Sequence, residues 1–233
     1  MPTLLVLGAK PDPALPWAGG FDAVACANAS VYSAARLGLP VPVFTVMTAL
    51  LTDGSEAGRR RIEALAGLRT ERLIYYPRPV KGRTPFRRLL HRLKMLRMRA
   101  AVLKRELARV GFRWESFEER PNEHYRALIC QLCGDAPEVG AQLARKQASS
   151  GVVAAAVGLA DGSWDRLILA GFNFELTQAF GEDPNIRARG AVQSLHRDTD
   201  VLVLHHLARR CPLVTTEPAV HAAAGVPLVP SDS

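Results

Sequence analysis

Two serines and a glycine at a predicted helix start are the residues best suited to hold a charged ligand. Ser149-Ser150-Gly151 precedes a run of small apolar residues, a pattern typical of a capped and closely packed helix. The hydroxyls, the free backbone N–H groups of the first turn and the positive end of the helix dipole together suit an anion such as a phosphate. Most Ser-capped helices bind nothing, so this motif predicts anion binding only with support from other residues at the same place.

Small and polar residues also follow several predicted strands, at the point where each strand ends. The uninterrupted Leu167-Ile168-Leu169-Ala170 has no polar face, so this strand must be covered on both sides, as central strands of parallel sheets are. Gly8, Asn28 and Thr48 end or follow three other apolar runs. Because open parallel sheets bind ligands outside the carboxyl ends of their strands, these residues indicate a single candidate site. Taken alone, Asn28 is more typical of a turn at a strand end.

Hydrophobic periodicity predicts one α/β domain that spans residues 1–233. Strands are predicted at Thr3–Leu7, Phe21–Asn28, Val41–Met47, Arg72–Tyr76, Arg166–Ala170 and Pro212–Thr216. Helices are predicted at Ser30–Leu37, Ser55–Leu68, Pro85–Val110 and Asp200–Arg210, with a small-residue helix between Ser149 and the turn at Asp161-Gly162. Arg113–Glu119 and Glu123–Cys133 fit a small lid of helices and loops, so we expect a basic helical lid at about 81–135.

Composition limits the class of protein. Of the 233 residues, 48% are hydrophobic and 22% are charged, which excludes a largely disordered chain, and no apolar run is long enough to span a bilayer. The first residues, Met-Pro-Thr-Leu-Leu-Val-Leu-Gly, predict a buried strand rather than a signal peptide. We therefore expect a cytoplasmic protein with reduced cysteines.

One pair of cysteines has the spacing of a metal or redox motif. His124 offers a third ligand beside Cys130-x-x-Cys133, but no fourth ligand follows at the spacing typical of zinc sites. A helix that happens to carry two cysteines is the favoured interpretation, and we expect no metal at this motif.

The net charge of +8 is concentrated between Arg78 and Arg109. The helix predicted at Pro85–Val110 has one apolar stripe and otherwise basic faces. A solvated outer face is one interpretation. Contact of the Arg83–Arg109 helix with an anionic membrane surface or a phosphorylated, lipid-linked glycan is the other, and it would place the protein peripherally on the inner membrane. Nucleic acid is disfavoured, because the basic face lacks aromatic residues for base stacking.

Three blocks of sequence, in this order along the chain, resemble the sialyltransferases that use CMP-activated sugars, especially the small bacterial kind. The first block is Leu4-x-x-Leu7-Gly8, then Pro11, then Phe21-Asp22-x-Val24-x-Cys26-x-Asn28. The second runs from Ser149-Ser150-Gly151 to Leu169-Ala170-Gly171-Phe172-Asn173-Phe174, and the third is His196…Asp200-x-x-x-Leu204-x-x-Leu207. The middle block is the most specific. The resemblance implies a Rossmann-like, mainly parallel sheet of the sialyltransferase type, a variant of the GT-A fold, with a small helical lid.

The resemblance also implies a role for each matching residue in the transfer of an acidic keto-sugar from CMP. The donor-binding positions are Gly8, Asn28, Ser149, Ser150, Gly151, Asn173 and Phe174. The first two would lie along the phosphate and nucleoside, the next three would hold the nucleotide, and the last two would border the cytidine. His196 matches the histidine that acts as general base on the acceptor hydroxyl, a role that suits neutral imidazole near pH 7. The implied reaction is an inverting, metal-independent transfer to a cell-surface glycan such as lipopolysaccharide or capsule.

The chain departs from the family pattern at several positions. Ala9 stands where the family has an asparagine after the first strand, and Val46-Met47-Thr48 stands where it has another. The tyrosines that help the phosphate leave have no counterpart, so we expect Arg187 or Arg189 to supply that charge stabilisation. The donated sugar is therefore open among sialic acid, Kdo, legionaminic acid and pseudaminic acid, and loss of activity is a further alternative.

Two other functions fit the same sequence. A nucleotide-dependent phosphotransferase on a similar fold would also use a glycine turn after its first strand, and a nucleotide- or glycan-binding partner would keep the fold without activity. Asp198-Thr199-Asp200 has the Asp-x-Asp form of metal-dependent glycosyltransferases. It lies where a helix is predicted to begin, so Asp198 is instead predicted to cap that helix.

Overall fold

A parallel sheet with the strand order β5-β4-β3-β2-β1-β6-β7 forms the centre of the fold. The computed structural model describes residues 1–10, 12–17, 20–78, 96–175 and 193–231. Within them, the strands are β1 (Thr3–Leu7), β2 (Ala23–Ala27), β3 (Phe44–Thr48), β4 (Arg69–Tyr76), β5 (Arg113–Glu119), β6 (Arg166–Ala170) and β7 (Leu213–Thr215). Each neighbouring pair is parallel, so the carboxyl ends of all these strands lie at one edge of the sheet.

Helices connect the strands and cover the sheet. In the described residues they are α1 (Ser30–Arg36), α2 (Glu56–Ala64), α3 (Ala100–Arg109), α4 (Asn122–Leu132), α5 (Pro137–Arg145), α6 (Ser150–Ala160), α7 (Arg197–Arg210) and α8 (Pro218–Ala224), with short 3-10 helices at Ala49–Thr52 and Leu96–Met98. Among these described helices, none combines the length and the apolar character needed to cross a membrane.

The core lies in two layers, one on each face of the sheet, because side chains alternate between the faces along a strand. Leu4 of β1 packs in the cluster that contains Val153 of α6 and Leu204 of α7. The next residue, Leu5, packs on the opposite face in the cluster that contains Leu103 of α3. All five residues of β1 are buried, as its uninterrupted apolar run predicts. Full burial of each leucine contributes about 1.5–3 kcal/mol, so both layers stabilise the strand.

Several predicted elements are confirmed, and β6 has its predicted bounds of Arg166–Ala170. It lies between β1 and β7, second from the edge of the sheet, and not at the centre. The prediction of one continuous helix at Pro85–Val110 is wrong, because the described part of this segment contains a break. Arg99 has an extended backbone (φ −81°, ψ 153°), and α3 begins only at the next residue. In a continuous helix the Met98 carbonyl would accept from the N–H four residues later, but here it accepts a hydrogen bond from the Tyr75 hydroxyl. The earlier part of the predicted helix, residues 85–95, lies outside the described residues.

The segment Arg113–Glu119, predicted as part of a lid of helices and loops, is instead the edge strand β5. It pairs in parallel with β4, for example Phe117 with Leu73. Most of its side chains are exposed or only half-buried, and it carries Glu115, Glu118 and Glu119. Charged residues are typical of sheet edges, where they oppose pairing with another chain, and they remove the apolar pattern by which a strand is recognised.

Candidate active site

A cavity of about 320 Å³ opens at the carboxyl ends of β1, β2, β3, β4 and β6. Its lining includes Gly8, Asn28, Thr48, Ser149, Ser150, Gly151, Asn173, Phe174 and His196. The structure thus brings together at one place the described residues that the sequence predicted as donor-binding or catalytic. The other two predicted residues, Arg187 and Arg189, lie outside the described part of the chain.

The loops that leave β1 and β6 touch each other at Gly8 and Gly171. The Gly8 N–H donates to the Ala170 carbonyl at 2.8 Å, and the Lys10 N–H donates to the Gly171 carbonyl at 2.9 Å. A Cβ atom at Gly8 would lie 2.3 Å from the Gly171 carbonyl oxygen, well inside van der Waals contact. Only glycine therefore fits at position 8, and this close approach shapes one wall of the cavity.

Asn28 joins the ends of β2 and β3 to the start of α6. Its backbone is left-handed (φ 54°), so it does form the turn that its position indicated. Its side chain also spans the site: Nδ2 donates to Ser150 Oγ at 2.6 Å, and Oδ1 accepts from the Thr48 N–H at 2.9 Å. Asn28 therefore forms a turn and also lies in the cavity wall, where its side chain joins three elements.

Ser149 caps α6, as the sequence predicted. Its Oγ accepts from the Val152 N–H at 3.4 Å, and its own N–H donates to Asp200 Oδ1 at 2.8 Å. A Cβ at Gly151 would lie 2.9 Å from the Phe172 ring, so the glycine lets this ring pack against the first turn. The first turn of a helix presents N–H groups that the helix itself does not bond, so this helix start can receive an anion from the cavity.

His196 lies at the start of α7, with its ring against the segment before α6. Nδ1 is 2.9 Å from the Gln147 carbonyl oxygen. A carbonyl oxygen only accepts, so Nδ1 carries the proton and the lone pair of the neutral ring is on Nε2. The ring is half-buried and lines the cavity. This tautomer is the one that a general base acting through Nε2 requires.

The start of α7 differs from the prediction. The helix begins at Arg197 with His196 as its N-cap residue, so Asp198 lies inside the first turn and does not cap the helix. Asp198 is exposed, whereas Asp200 is buried and lines the cavity. In the described part of the chain, no three His, Cys, Asp or Glu side chains are grouped so that they could hold a metal ion. The thiols of Cys130 and Cys133 are free, and burial raises the pKa of Cys133 to about 12.

Three further cavity residues were missed by sequence reasoning: Arg61, Arg78 and Asp200. Arg78 follows β4 at its carboxyl end, so the strand-end rule that singled out Asn28 would have found it. Arg61 lies on α2, where a charged residue next to the apolar stripe gives no signal. Asp200 appears in the third block of the resemblance and in the Asp-x-Asp motif, but sequence reasoning assigned it no role in the site. Together the two arginines add positive charge to the wall of the cavity.

Burial raises the pKa of Asp200 from its ordinary value of 3.8 to about 7, although hydrogen bonds from Ser149 act in the opposite direction. Between about pH 4 and 7 the folded chain therefore binds a proton that the unfolded chain has released. Raising the pH through this window is expected to destabilise the fold by up to roughly 4 kcal/mol through this one group.

The measurement for this prediction is the free energy of unfolding in urea from pH 4 to pH 7, for the parent and for Asp200→Asn. Titration of the other carboxylates is common to both proteins, so the difference between the two curves isolates Asp200. The parent should lose stability relative to the variant as the pH rises. Parallel curves would show that Asp200 is not held neutral by burial.

No protein-family model matches the chain, and no curated protein matches it in sequence. Solved structures do match its fold. The sialyltransferase CstII from Campylobacter jejuni, in complex with the substrate analogue CMP-3FNeuAc, superposes with a TM-score of 0.51 at 15% identity, over 100% of this chain and 89% of CstII. CstII with a trisaccharide acceptor and CMP gives 0.50 at 14% identity, over 98% and 86%.

A second sialyltransferase matches similarly. The monofunctional α-2,3-sialyltransferase Cst-I from C. jejuni gives a TM-score of 0.51 at 14% identity, over 98% of this chain and 80% of Cst-I. At this level of identity the likeness concerns the fold, and it extends over essentially the whole chain. The predicted Rossmann-like parallel sheet of the sialyltransferase type is therefore confirmed.

Proposed function

We propose that the chain is a glycosyltransferase that moves an acidic keto-sugar from a CMP donor to a glycan acceptor. One observation carries the proposal: the donor-binding residues implied by the sequence resemblance and His196 line the same cavity, at the carboxyl edge of a sheet with the sialyltransferase fold. Neighbours with that fold have been solved with a CMP-sugar analogue and with CMP plus a trisaccharide acceptor.

The donor phosphate would bind at the start of α6. Ser150 and Gly151 supply N–H groups there, and the helix dipole adds partial positive charge. Asn28 bonds Ser150 and fixes its hydroxyl at the cavity wall. Asn173 and Phe174, which follow β6, line the cavity and would border the cytidine. This arrangement would orient the donor with its glycosidic phosphate beside the helix start.

His196 would act as the base. Nε2 takes the proton of the acceptor hydroxyl as the acceptor oxygen attacks the anomeric carbon of the sugar, while the bond from that carbon to the phosphate oxygen breaks. Attack from the face opposite the leaving group inverts the configuration. CMP leaves with the extra negative charge, which the helix start and the cations of the cavity wall stabilise. Arg61 and Arg78 are the described cations at this wall, and Arg187 and Arg189 stay predicted contributors.

Neither the donor sugar nor the acceptor glycan is fixed to a single compound. Sialic acid, Kdo and related keto-sugar acids share the carboxylate and the CMP linkage that the cavity would recognise. A cell-surface glycan such as lipopolysaccharide or capsule is the proposed acceptor, reached at the inner membrane surface through the basic segment Arg83–Arg109. The reaction is proposed to need no metal, because the leaving group is a single phosphate that helix dipoles and arginines can neutralise.

Thermal stability in the presence of nucleotides tests this proposal. We expect CMP to raise the melting temperature without Mg²⁺, because a ligand that binds only the folded state adds RT ln(1 + [L]/Kd), about 2.7 kcal/mol at 100 times Kd. For a domain of this size that is a rise of roughly 5–10 °C. Stabilisation by ATP or UDP that depends on Mg²⁺, with none by CMP, would favour a phosphotransferase and overturn the proposal.

A further inference from the structure

The first turn of α7 holds the segment Gln147–Ser149 at both of its ends. Nδ1–H of His196 donates to the Gln147 carbonyl at 2.9 Å, and Asp200 Oδ1 accepts from the Ser149 N–H at 2.8 Å. His196 and Asp200 are one helical turn apart, and the Asp200 N–H donates to the His196 carbonyl at 2.9 Å. Two side chains from the start of one helix, α7, therefore hydrogen-bond to the same short stretch of backbone.

That stretch of backbone serves two parts of the proposed function. It leads directly into α6, whose first turn is the proposed phosphate site. Its Gln147 carbonyl also decides which ring nitrogen of His196 carries the proton. A shift of the segment would alter both features. Gln147 Nε2 donates to the Pro77 carbonyl at 3.1 Å, but this bond fixes the side chain and leaves the carbonyl to be placed by the neighbouring backbone.

We propose that Asp200 is a positioning residue, which fixes the Ser149 N–H so that the Gln147 carbonyl keeps the proton of His196 on Nδ1 and the lone pair on Nε2. The inference rests on the proposed function, because it assigns Asp200 to the preparation of the base. Asp200 is only 7% exposed, and a carboxyl buried to this degree needs a hydrogen-bond partner, which the Ser149 N–H supplies.

In the part of the chain that the structure describes, few other polar groups near Asp200 could take over this task. Lys146, in the loop after α5, and Tyr76, on β4, are near enough to interact electrostatically with its carboxyl. The Tyr76 hydroxyl donates to the Ala148 carbonyl at 3.4 Å, so it too bonds the segment before α6. Asp200 differs from Tyr76 because it accepts a hydrogen bond from a backbone N–H of the segment. A carboxyl group can accept this bond whether it is ionised or neutral.

The test reads the His196 tautomer directly by ¹⁵N NMR of the imidazole ring, at a pH where the ring is neutral. The chain has six histidines, and the signal missing in His196→Asn assigns the ring. The parent should show Nδ1–H. Asp200→Ala should shift the ring toward Nε2–H and lower kcat at least tenfold. Asp200→Asn, whose amide oxygen can accept the same N–H, should restore Nδ1–H and most of the rate.

Thr199→Val is the matched control. The Thr199 hydroxyl accepts from Gln142 Nε2 at 2.9 Å in the same helical turn, so its loss perturbs packing without touching Gln147–Ser149. This variant should keep Nδ1–H. If Asp200→Ala does not fold, Asp200→Ser is used, because a serine hydroxyl is too short to reach the Ser149 N–H.

An unchanged tautomer in the folded Ala or Ser variant would overturn the proposal, as would an equal shift in Thr199→Val. The NMR readout needs no substrate. Failure of the parent to transfer sugar would therefore count against the proposed function alone, and the tautomer result would still decide the part played by Asp200.

Discussion

Replacing His196 by asparagine is expected to lower the rate of sugar transfer by about 10²- to 10⁴-fold, the usual contribution of a positioned general base. The asparagine amide can still donate to the Gln147 carbonyl, which His196 Nδ1 contacts at 2.9 Å, so the backbone before α6 should stay in place. The group that accepts the acceptor proton is lost. The measurement is the initial rate of CMP release in the presence of acceptor, with CMP affinity measured beside it.

His221→Asn is the matched control for this variant. Nδ1 of His221 contacts the Val226 carbonyl at 2.8 Å, the same kind of bond as at His196, but on α8 and away from the cavity. The control should keep its rate within about threefold of the parent, and His196→Asn should keep CMP affinity within a few-fold. If His196→Asn transferred sugar at a near-parental rate, His196 would not be the general base.

Gly8→Ala is expected to destabilise the fold by roughly 1–3 kcal/mol or more and to abolish CMP binding. The new Cβ would lie 2.3 Å from the Gly171 carbonyl oxygen, and this oxygen accepts the Lys10 N–H bond that joins the two loops. Backbone on both sides would have to separate at the cavity wall. Urea unfolding gives the free energy of unfolding, and calorimetric titration gives the CMP affinity.

Gly140→Ala provides the comparison for a glycine that is not constrained. It lies inside α5, and apart from its chain neighbours and the backbone of its own helix, the nearest atom to its added Cβ is Cys130 Sγ at 4.0 Å. Alanine should therefore be tolerated and should stabilise the helix by up to about 1 kcal/mol. If Gly8→Ala unfolded at the same urea concentration as the parent and still bound CMP, the close approach of the two loops would not be a requirement of the site.

The parts of the fold that sequence predicted are those where burial leaves a local pattern. Arg166–Ala170 was recognisable because a strand covered on both faces is apolar at successive positions. Gly8 and Asn28 were recognisable because strand ends in parallel sheets converge on one edge. These rules use only neighbouring residues and the topology of the sheet, and they were enough to locate the cavity.

The parts that sequence missed depend on contacts between distant segments. The helix break at Arg99 accompanies a hydrogen bond from Tyr75 to Met98, 23 residues away, and the partner of Asp200 lies 51 residues before it. The edge strand β5 has a mixed burial pattern, so neither a helical nor a strand period is visible in its residues. In each case the local sequence does not indicate which distant residue is the partner, so the structure could not be predicted from it.

The membrane contact proposed for Arg83–Arg109 stays a prediction. In the described part of this segment, α3 makes contacts on both its inner and its outer side. Leu103 and Leu107 of α3 face the core. On the outer side, Lys104 Nζ lies 4.5 Å from the centre of the Phe117 ring, and Glu106 forms ion pairs with Arg105 and Arg109. These contacts agree with a solvated outer face for α3. Any attraction to anionic lipid would then rest mainly on the basic residues before it.

We expect this cavity to turn over a CMP-activated keto-sugar. The most direct measurement is CMP release from CMP-sialic acid and CMP-Kdo by the purified protein in EDTA, with and without glycan acceptors and with His196→Asn in parallel. The proposed function predicts metal-independent CMP release by the parent from at least one donor, and its loss in the variant. Intact donors in every parent reaction, with a folded protein that is not stabilised by CMP, would contradict it.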